Sequence, residues 1–263
     1  MSLVQILMLN AALVLGTMSL LWLLSVRLKD ASIADIFWGL GFVLIAWVTF
    51  AFASSDRRAI VLVALTTIWG LRLTAYLAWR NHGKGEDSRY KAMRDSRGNS
   101  FWWVSLMTVF GLQGAVMWII SLPVQVGQTI APLMGGVNYA GIAIWTIGFL
   151  FESIGDYQLA RFKSAGHPPG TVMDRGLWRY TRHPNYFGNA LVWWGLFLVA
   201  VSPSTIWTII SPLFMTFLLL KVSGVALLER SLAGRSAEYR DYIQRTSSFI
   251  PWVPKPGSAT CAD

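Results

Sequence analysis

The chain has 263 residues, 54% of them apolar and only 13% charged, with 14 tryptophans. That balance is too apolar for an ordinary soluble domain. The net charge of +9 would suggest nucleic acid in a soluble protein, but in a chain this apolar it is better explained by the bias of basic residues toward cytoplasmic loops.

Apolar runs long enough to cross a bilayer, which takes about 20 residues per helix, fall at 4–26, 33–53, 59–79, 101–124, 137–160, 187–201 and 205–228. The expected fold is all-α: one membrane-embedded domain over 1–263 with about seven transmembrane helices, the N-terminus outside and a cytoplasmic tail from 229. Pro203 and Pro212 blur the boundary between the last two spans. With this threading every Lys and Arg falls on a cytoplasmic loop or the tail except Arg57 and Arg58, in an outer loop, and Arg72 and Lys221, within spans. The first apolar segment has no basic leader or clear cleavage site, so it reads as a span rather than a signal peptide. The single cysteine, Cys261, excludes an intramolecular disulfide and a cysteine-based metal cluster.

Span 1 carries nothing polar of note after Asn10 and reads as lipid-facing packing. Asp30 or Ser32 is placed to cap span 2. Asp35 lies one turn inside that span, where an acid is costly unless it is paired or functional, and both roles stay open. Trp38 suits an interface anchor or a substrate wall, and Gly39 and Gly41 allow close helix packing. In span 3, Arg72, Tyr76 and Arg80 recur at four-residue spacing on one face, with Arg72 expected to point inward. The following loop mixes both signs of charge; Glu86, Asp87, Arg89 and Tyr90 are dense enough for a lid. Gln113, in the middle of span 4, needs a partner at that depth, and a helix–helix hydrogen bond is favoured over a substrate contact.

Span 5 ends with Glu152 and Asp156 on one face, to which Lys163 returns if the helix continues. These three fit a salt-bridge ladder or the ribose and amide groups of a nucleotide, and position alone does not decide. HPPGTVM (167–173) then breaks the helix. Next comes DRGLWRYTRHPNYFGN (174–189), where cationic, amide and phenolic groups crowd the mouth of span 6. The tail reads as a short amphipathic helix with Tyr239, Tyr242 and Ile243 on one side, followed by an extended proline-rich end that packs back. There is no Gly-rich phosphate loop, no metalloprotease helix and no serine elbow, and His82, His167 and His183 lack ligand spacing, so no metal is expected.

GLWRYTRHPNYFGN, the WWG after it, and the tail LLERSLAGRSAEYRDYIQRTSSFIPWVP resemble the steroid 5α-reductase superfamily, most closely its bacterial branch, domain of unknown function 1295. The resemblance covers most of the chain and is strongest from Gly148 to Pro251. It implies a helical membrane enzyme, in a bacterial inner membrane, that takes NADPH from the cytoplasmic side. Such an enzyme reduces a carbon–carbon double bond conjugated to a carbonyl in a lipophilic substrate, a 3-oxo-Δ4 steroid or related lipid.

By the same resemblance, Glu152, Asp156, Lys163 and Asn185 match the family's cofactor ligands, as do Arg72 and Tyr76. Arg179, Tyr180, Arg182, His183, Tyr186 and Asn189 join them from the central stretch, and Glu229 and Tyr242 from the tail. Asp35 matches the acid that polarises the substrate carbonyl, with Trp38, Trp69 and Gln113 as substrate contacts. Glu152 stands where the family usually has Asn, and Asn189 where Glu commonly follows. Trp69 lies near the position of a substrate-binding tyrosine, and the paired histidines of the animal C-terminal segment are missing. The departures bear on the steroid more than on the cofactor. Neither nucleic acid nor an obligate protein partner is expected.

Two other classes compete. A membrane methyltransferase of the isoprenylcysteine or phospholipid type, using S-adenosylmethionine, shares the R-H-P-x-Y-x-G string and a tail Glu with a Y-x-x-Y pattern, here Glu229, Tyr239 and Tyr242. A transporter or lipid-binding scaffold fits less well, because polar residues gather in one half of the spans rather than along a path across them.

Overall fold

The computed structural model describes residues 1–53, 56–130, 133–168, 170–222 and 237–255. Among these residues the chain is all-helical, with one isolated β-bridge between Thr181 and Ser247. The helices are α1 (Leu3–Leu28), α2 (Ile33–Phe52), α3 (Arg57–Asn81), α4 (Ser88–Arg97), α5 (Phe101–Ser105), α6 (Leu112–Ile120), α7 (Leu122–Gly127), α8 (Gly136–Ser164), α9 (Pro184–Ala200), α10 (Ile210–Phe217) and α11 (Ala237–Arg245). Among the described residues five helical stretches are long and apolar enough to cross a membrane: α1, α2, α3, the composite Ser88–Ile120, and α8. The sixth and seventh expected spans are shorter, at 17 residues for α9 and Ile206–Val222 for the last described apolar stretch. The fourth is interrupted, because Leu106–Gly111 forms a π-helical turn between α5 and α6.

The described residues fall into two compact units, Met1–Tyr139 with Leu196–Ser211, and Ala140–Gly195 with Pro212–Asp263. In the first unit, α1 starts at a capping box in which Ser2 N donates to Gln5 Oε1 at 2.9 Å and Gln5 N to Ser2 Oγ at 3.3 Å. Helices α2 and α3 touch backbone to backbone at two glycines. A Cβ on Gly39 would lie 2.3 Å from the Gly70 carbonyl oxygen, and one on Gly70 2.6 Å from that of Gly39. Beside this contact Phe42 packs edge-on against both Trp38 and Trp69, with ring centroids 5.2 and 5.6 Å apart.

Asn10 is not lipid-facing. It is wholly buried, and its amide donates to Thr49 Oγ1 at 2.8 Å and Gln125 Oε1 at 3.0 Å. An amide at that depth requires such partners. Arg58 is likewise not an exposed loop residue. It sits in the first turn of α3, 2% exposed, and donates to Asn138 Oδ1 at 3.4 Å. The Asn138 amide in turn holds the carbonyls of Leu198, Val199 and Val201 around the end of α9.

The 82–87 segment is strapped to the corner between α1 and α2. Glu86 Oε1 accepts the Ala31 amide at 2.9 Å, and Ser32 Oγ accepts the Asp87 amide at 2.7 Å. The Ser32 hydroxyl therefore pins the strap instead of capping α2, while Asp30 Oδ1 takes the Ser32 amide at 2.8 Å. Burial pushes the Glu86 carboxyl up, but the hydrogen bonds from Arg94 and Ala31 and the nearby cations prevail, leaving it below its ordinary value. Asp87 is lowered in the same way, its burial outweighed by bonds from Arg89.

The second unit is built on α8 and the first three turns of α9, which run antiparallel. Glycines again set the distance. A Cβ on Gly148 would lie 2.6 Å from Gly188 O, and one on Gly188 would lie 2.4 Å from Glu152 N. Gly195 closes against the Trp145 backbone, and Gly155 packs on Pro184 and Asn185. Pro184 opens α9, where its missing N–H removes no helical bond. The tail folds back within this unit. Thr181 Oγ1 donates to Phe249 O at 2.8 Å, Trp252 N to Tyr180 O at 2.9 Å, and Lys255 N to Arg245 O at 3.0 Å.

The glycine contacts predict that Gly188→Ala lowers stability by about 2 kcal/mol. Gly16→Ala, where a Cβ meets nothing within 4 Å, should leave the thermal transition in detergent unchanged. The strap makes a pH prediction. Both carboxyls are lowered on folding, so their stabilisation is complete above the ordinary carboxylate range, about pH 4. It fades as the pH falls through the lowered values. Hydrogen exchange at the Ala31 and Asp87 amides, corrected for intrinsic rates, should rise in that window. In Glu86→Gln the Ala31 amide should already exchange faster at pH 7.

Candidate functional site

Among the described residues, each unit carries a polar cluster built around the carboxylates that the sequence marks as candidates. In the first unit it centres on Asp35, in the first turn of α2. Arg89 donates to Asp35 Oδ2 at 2.7 Å, and Tyr90 OH and Gln113 Nε2 donate to Oδ1 at 2.6 and 3.2 Å. Gln113 Nε2 also donates to the Tyr90 oxygen at 3.0 Å. Arg89 is held from its other side by Asp87, 2.9 Å from Nε. Three elements supply the cluster: α2 its acid, α4 its cation and phenol, and α6 its amide, two residues past the π-helical turn.

Every one of these groups donates to Asp35. The carboxyl therefore acts here as the acceptor, and the proton that could be passed on belongs to the Tyr90 phenol. Gln113 Oε1 is buried with no hydrogen-bond partner among the described residues. The helix–helix hydrogen bond expected of Gln113 is made, and its carbonyl is left as a spare acceptor. Tyr90 belongs to the dense 86–90 cluster, but its pairing with Asp35 spans 55 residues of sequence, and nothing in the local pattern announces it.

The other first-unit candidates lie as follows. Trp69 is fully enclosed at 0% exposure, and Trp38 is half-buried against Phe42. Arg72 is half-buried within α3. Tyr76 lies near Trp79, centroids 6.1 Å apart, with the Arg80 guanidinium 5.8 Å from its ring centre.

In the second unit the glycine contact sets the carboxylates of α8 against the amides of α9. Asn185 Nδ2 donates to Asp156 Oδ1 at 3.2 Å, and Asn189 Nδ2 to Glu152 Oε1 at 3.3 Å. The result is a ladder of two rungs, one helical turn apart on each helix. Glu152, Asp156 and Asn189 are 3%, 5% and 7% exposed. Asn189 Oδ1 is buried without a hydrogen-bond partner among the described residues. The two departures noted in the sequence, Glu152 and Asn189, are thus partners, and they exchange which helix carries the acid and which the amide. His183 stacks on Tyr186 with centroids 5.4 Å apart and planes within 5°. Lys163 and Arg179 are exposed.

The remaining candidates hold the tail. Arg182 is buried, and its guanidinium donates to the carbonyls of Ile243 at 2.6 Å and Thr246 at 3.0 Å, where the last turn of α11 ends. Tyr242 donates to the Trp178 carbonyl, and burial pushes its phenol far above its ordinary value, so it serves as a permanent donor. Trp178 Nε1 passes the connection on to Gly155 O in α8, at 3.0 Å. Tyr180 is partly exposed and holds the tail through its carbonyl. Glu229 lies outside the described residues, as do Arg230, Arg235 and Cys261.

Comparison with known proteins adds the following. The chain is 23% identical to "Uncharacterized protein C594.04c" of Schizosaccharomyces pombe (strain 972 / ATCC 24843), over 89% of this chain and 76% of that protein. No solved structure matches it significantly. The model of the family described as "Protein of unknown function (DUF1295)" matches residues 21–246, which takes in Asp35, Tyr90, Gln113 and both rungs of the α8–α9 ladder. The chain belongs to that family, which is associated with the steroid 5α-reductase superfamily.

Proposed function

We propose that the protein is a membrane reductase that uses NADPH to saturate a carbon–carbon double bond conjugated to a carbonyl in a lipophilic substrate, a 3-oxo-Δ4 steroid or related lipid. The observation that carries the reading is the α8–α9 ladder. Two buried carboxylates meet one buried and one half-buried amide on helices otherwise packed by glycines and aromatics, with one amide oxygen without a hydrogen-bond partner among the described residues. Burying such groups costs free energy unless they are retained for a ligand or satisfied by one another.

The donor set fits a nicotinamide nucleotide. Asn189 Oδ1 can accept from a carboxamide N–H, and Glu152 and Asp156 can accept from ribose hydroxyls. The exposed cations Lys163, Arg175 and Arg179 suit the phosphates. NADPH held there would supply a hydride for the β-carbon of the enone, with the α-carbon proton coming from solvent. Within the first unit, the Tyr90 phenol is the group equipped to donate to a substrate carbonyl oxygen and to stabilise charge developing there. Asp35 and Gln113 hold the phenol oxygen in place, and Arg89 holds Asp35. In this reading Asp35 is a positioning residue, and Arg182 and Tyr242 act by anchoring the tail.

The crowding of basic residues at one end of the spans supports an N-terminus outside and a cytoplasmic cofactor face, in a bacterial inner membrane with seven spans.

The first test is ligand-induced thermal stabilisation of the purified protein in mild detergent. NADPH should raise the transition temperature; stabilisation by S-adenosylmethionine and not by NADPH would overturn the reading in favour of a methyltransferase. Asn185→Ala should weaken NADPH binding about tenfold, the worth of one lost hydrogen bond to a charged partner. Tyr90→Phe should leave NADPH affinity intact and cut turnover of a 3-oxo-Δ4 steroid by about a hundredfold or more.

A further inference from the structure

A cavity of about 520 Å³ lies in the first unit between the charged end of α1 and the α4–α5 segment. Its volume is within the usual range for small-ligand sites, and it shares no residue with either polar cluster. Ser25 and Lys29 line it from α1, Arg94, Asp95, Phe101 and Trp102 from the other side.

The walls are fixed. Trp22 stacks on Trp102 with centroids 6.1 Å apart and donates to its carbonyl at 2.6 Å. The Arg94 guanidinium lies 4.5 Å from the centre of the Phe101 ring, with its charge taken by Glu86 at 2.7 and 2.9 Å. Arg94 is thus committed to the protein. The exposed Lys29 and Asp95 are not, since neither makes an ion pair with a described side chain. The cavity offers one available cation and one available carboxylate.

Its place along the chain narrows the ligand. Helix α1 is long and apolar enough to cross a membrane, and the cavity opens where that helix ends. The exposed side chains of Val26 and Trp102 line it and suit acyl chains. Lys29 is also the one described non-glycine residue with positive φ, 55°. Glycine would close the helix there at no steric cost, so the backbone alone does not call for a lysine.

We propose that this cavity binds the headgroup of a phosphoethanolamine-type membrane phospholipid. The Lys29 ammonium takes the phosphate, the Asp95 carboxylate takes the lipid's primary ammonium, and Trp102 lies along the glycerol and upper acyl chain. A trimethylated choline headgroup has no N–H for Asp95. A glycerol headgroup has no cation for it.

The experiment is native mass spectrometry of the full-length protein, titrated with phosphatidylethanolamine, phosphatidylcholine or phosphatidylglycerol of matched chains. Phosphatidylethanolamine should bind about fivefold more tightly than the other two, the worth of one charge-assisted bond at a half-exposed site. Asp95→Asn should remove that preference and leave phosphatidylcholine binding unchanged. Lys29→Gly suits the left-handed backbone and so folds as the parent does; it should weaken binding of all three phospholipids. Equal binding of phosphatidylethanolamine and phosphatidylcholine by the parent protein would overturn the assignment. So would phosphatidylglycerol binding best with Asp95→Asn indifferent, or displacement of the lipid by equimolar soluble phosphoethanolamine.

Discussion

The close approach of α8 and α9 at Gly148 and Gly188 is the constraint on which the second unit depends. With no side chain on either residue, carbonyl and amide groups of the two helices come within the reach of a single Cβ. At that separation the short side chains of Asn185 and Asn189 reach the carboxylates of Asp156 and Glu152 directly. A larger residue at either glycine would push the helices apart and break both amide–carboxylate bonds, a penalty added to the lost packing. The glycines and the polar ladder are two aspects of one contact.

The first unit follows the same rule with different chemistry. Gly39 and Gly70 bring α2 and α3 together, and the acid near the start of α2 is satisfied from elsewhere in the chain. Arg89 and Tyr90 come from the polar segment after α3, and Gln113 from the helix beyond the π-helical turn. Much of the charge in the 86–94 segment is consumed by structure. Glu86 holds Ala31 and Arg94, and Asp87 caps α4 and holds Arg89. A segment that looks like a solvated loop by composition is a strap because its acids have specific amide and guanidinium partners.

Arg182 shows how a motif residue can be legible while its partners are not. Its place in R-H-P-N-Y, three residues before Asn185, suggests an anion ligand. Buried against the end of α11, its guanidinium donates to the open carbonyls of Ile243 and Thr246. Arg58 differs in the other direction. By position it belongs to an outer loop, yet it is enclosed beside Asn138 at the end of α9. In both cases the charge is visible in the sequence, and the carbonyls that receive it are distant in the chain.

The sequence by itself determined the helical membrane architecture, the family, and the position of the polar face at the end of α8. Each rests on a local property: hydropathy over about 20 residues, an ordered string of residue types, or four-residue spacing on one helix. Only the tertiary structure decided which polar groups meet. It paired Glu152 with Asn189 and Asp35 with Tyr90, made the phenol the donor, and turned Arg182 and Tyr242 toward the tail. Hydrogen bonds between helices depend on register and separation, and those are set by backbone contacts at glycines far apart in the chain.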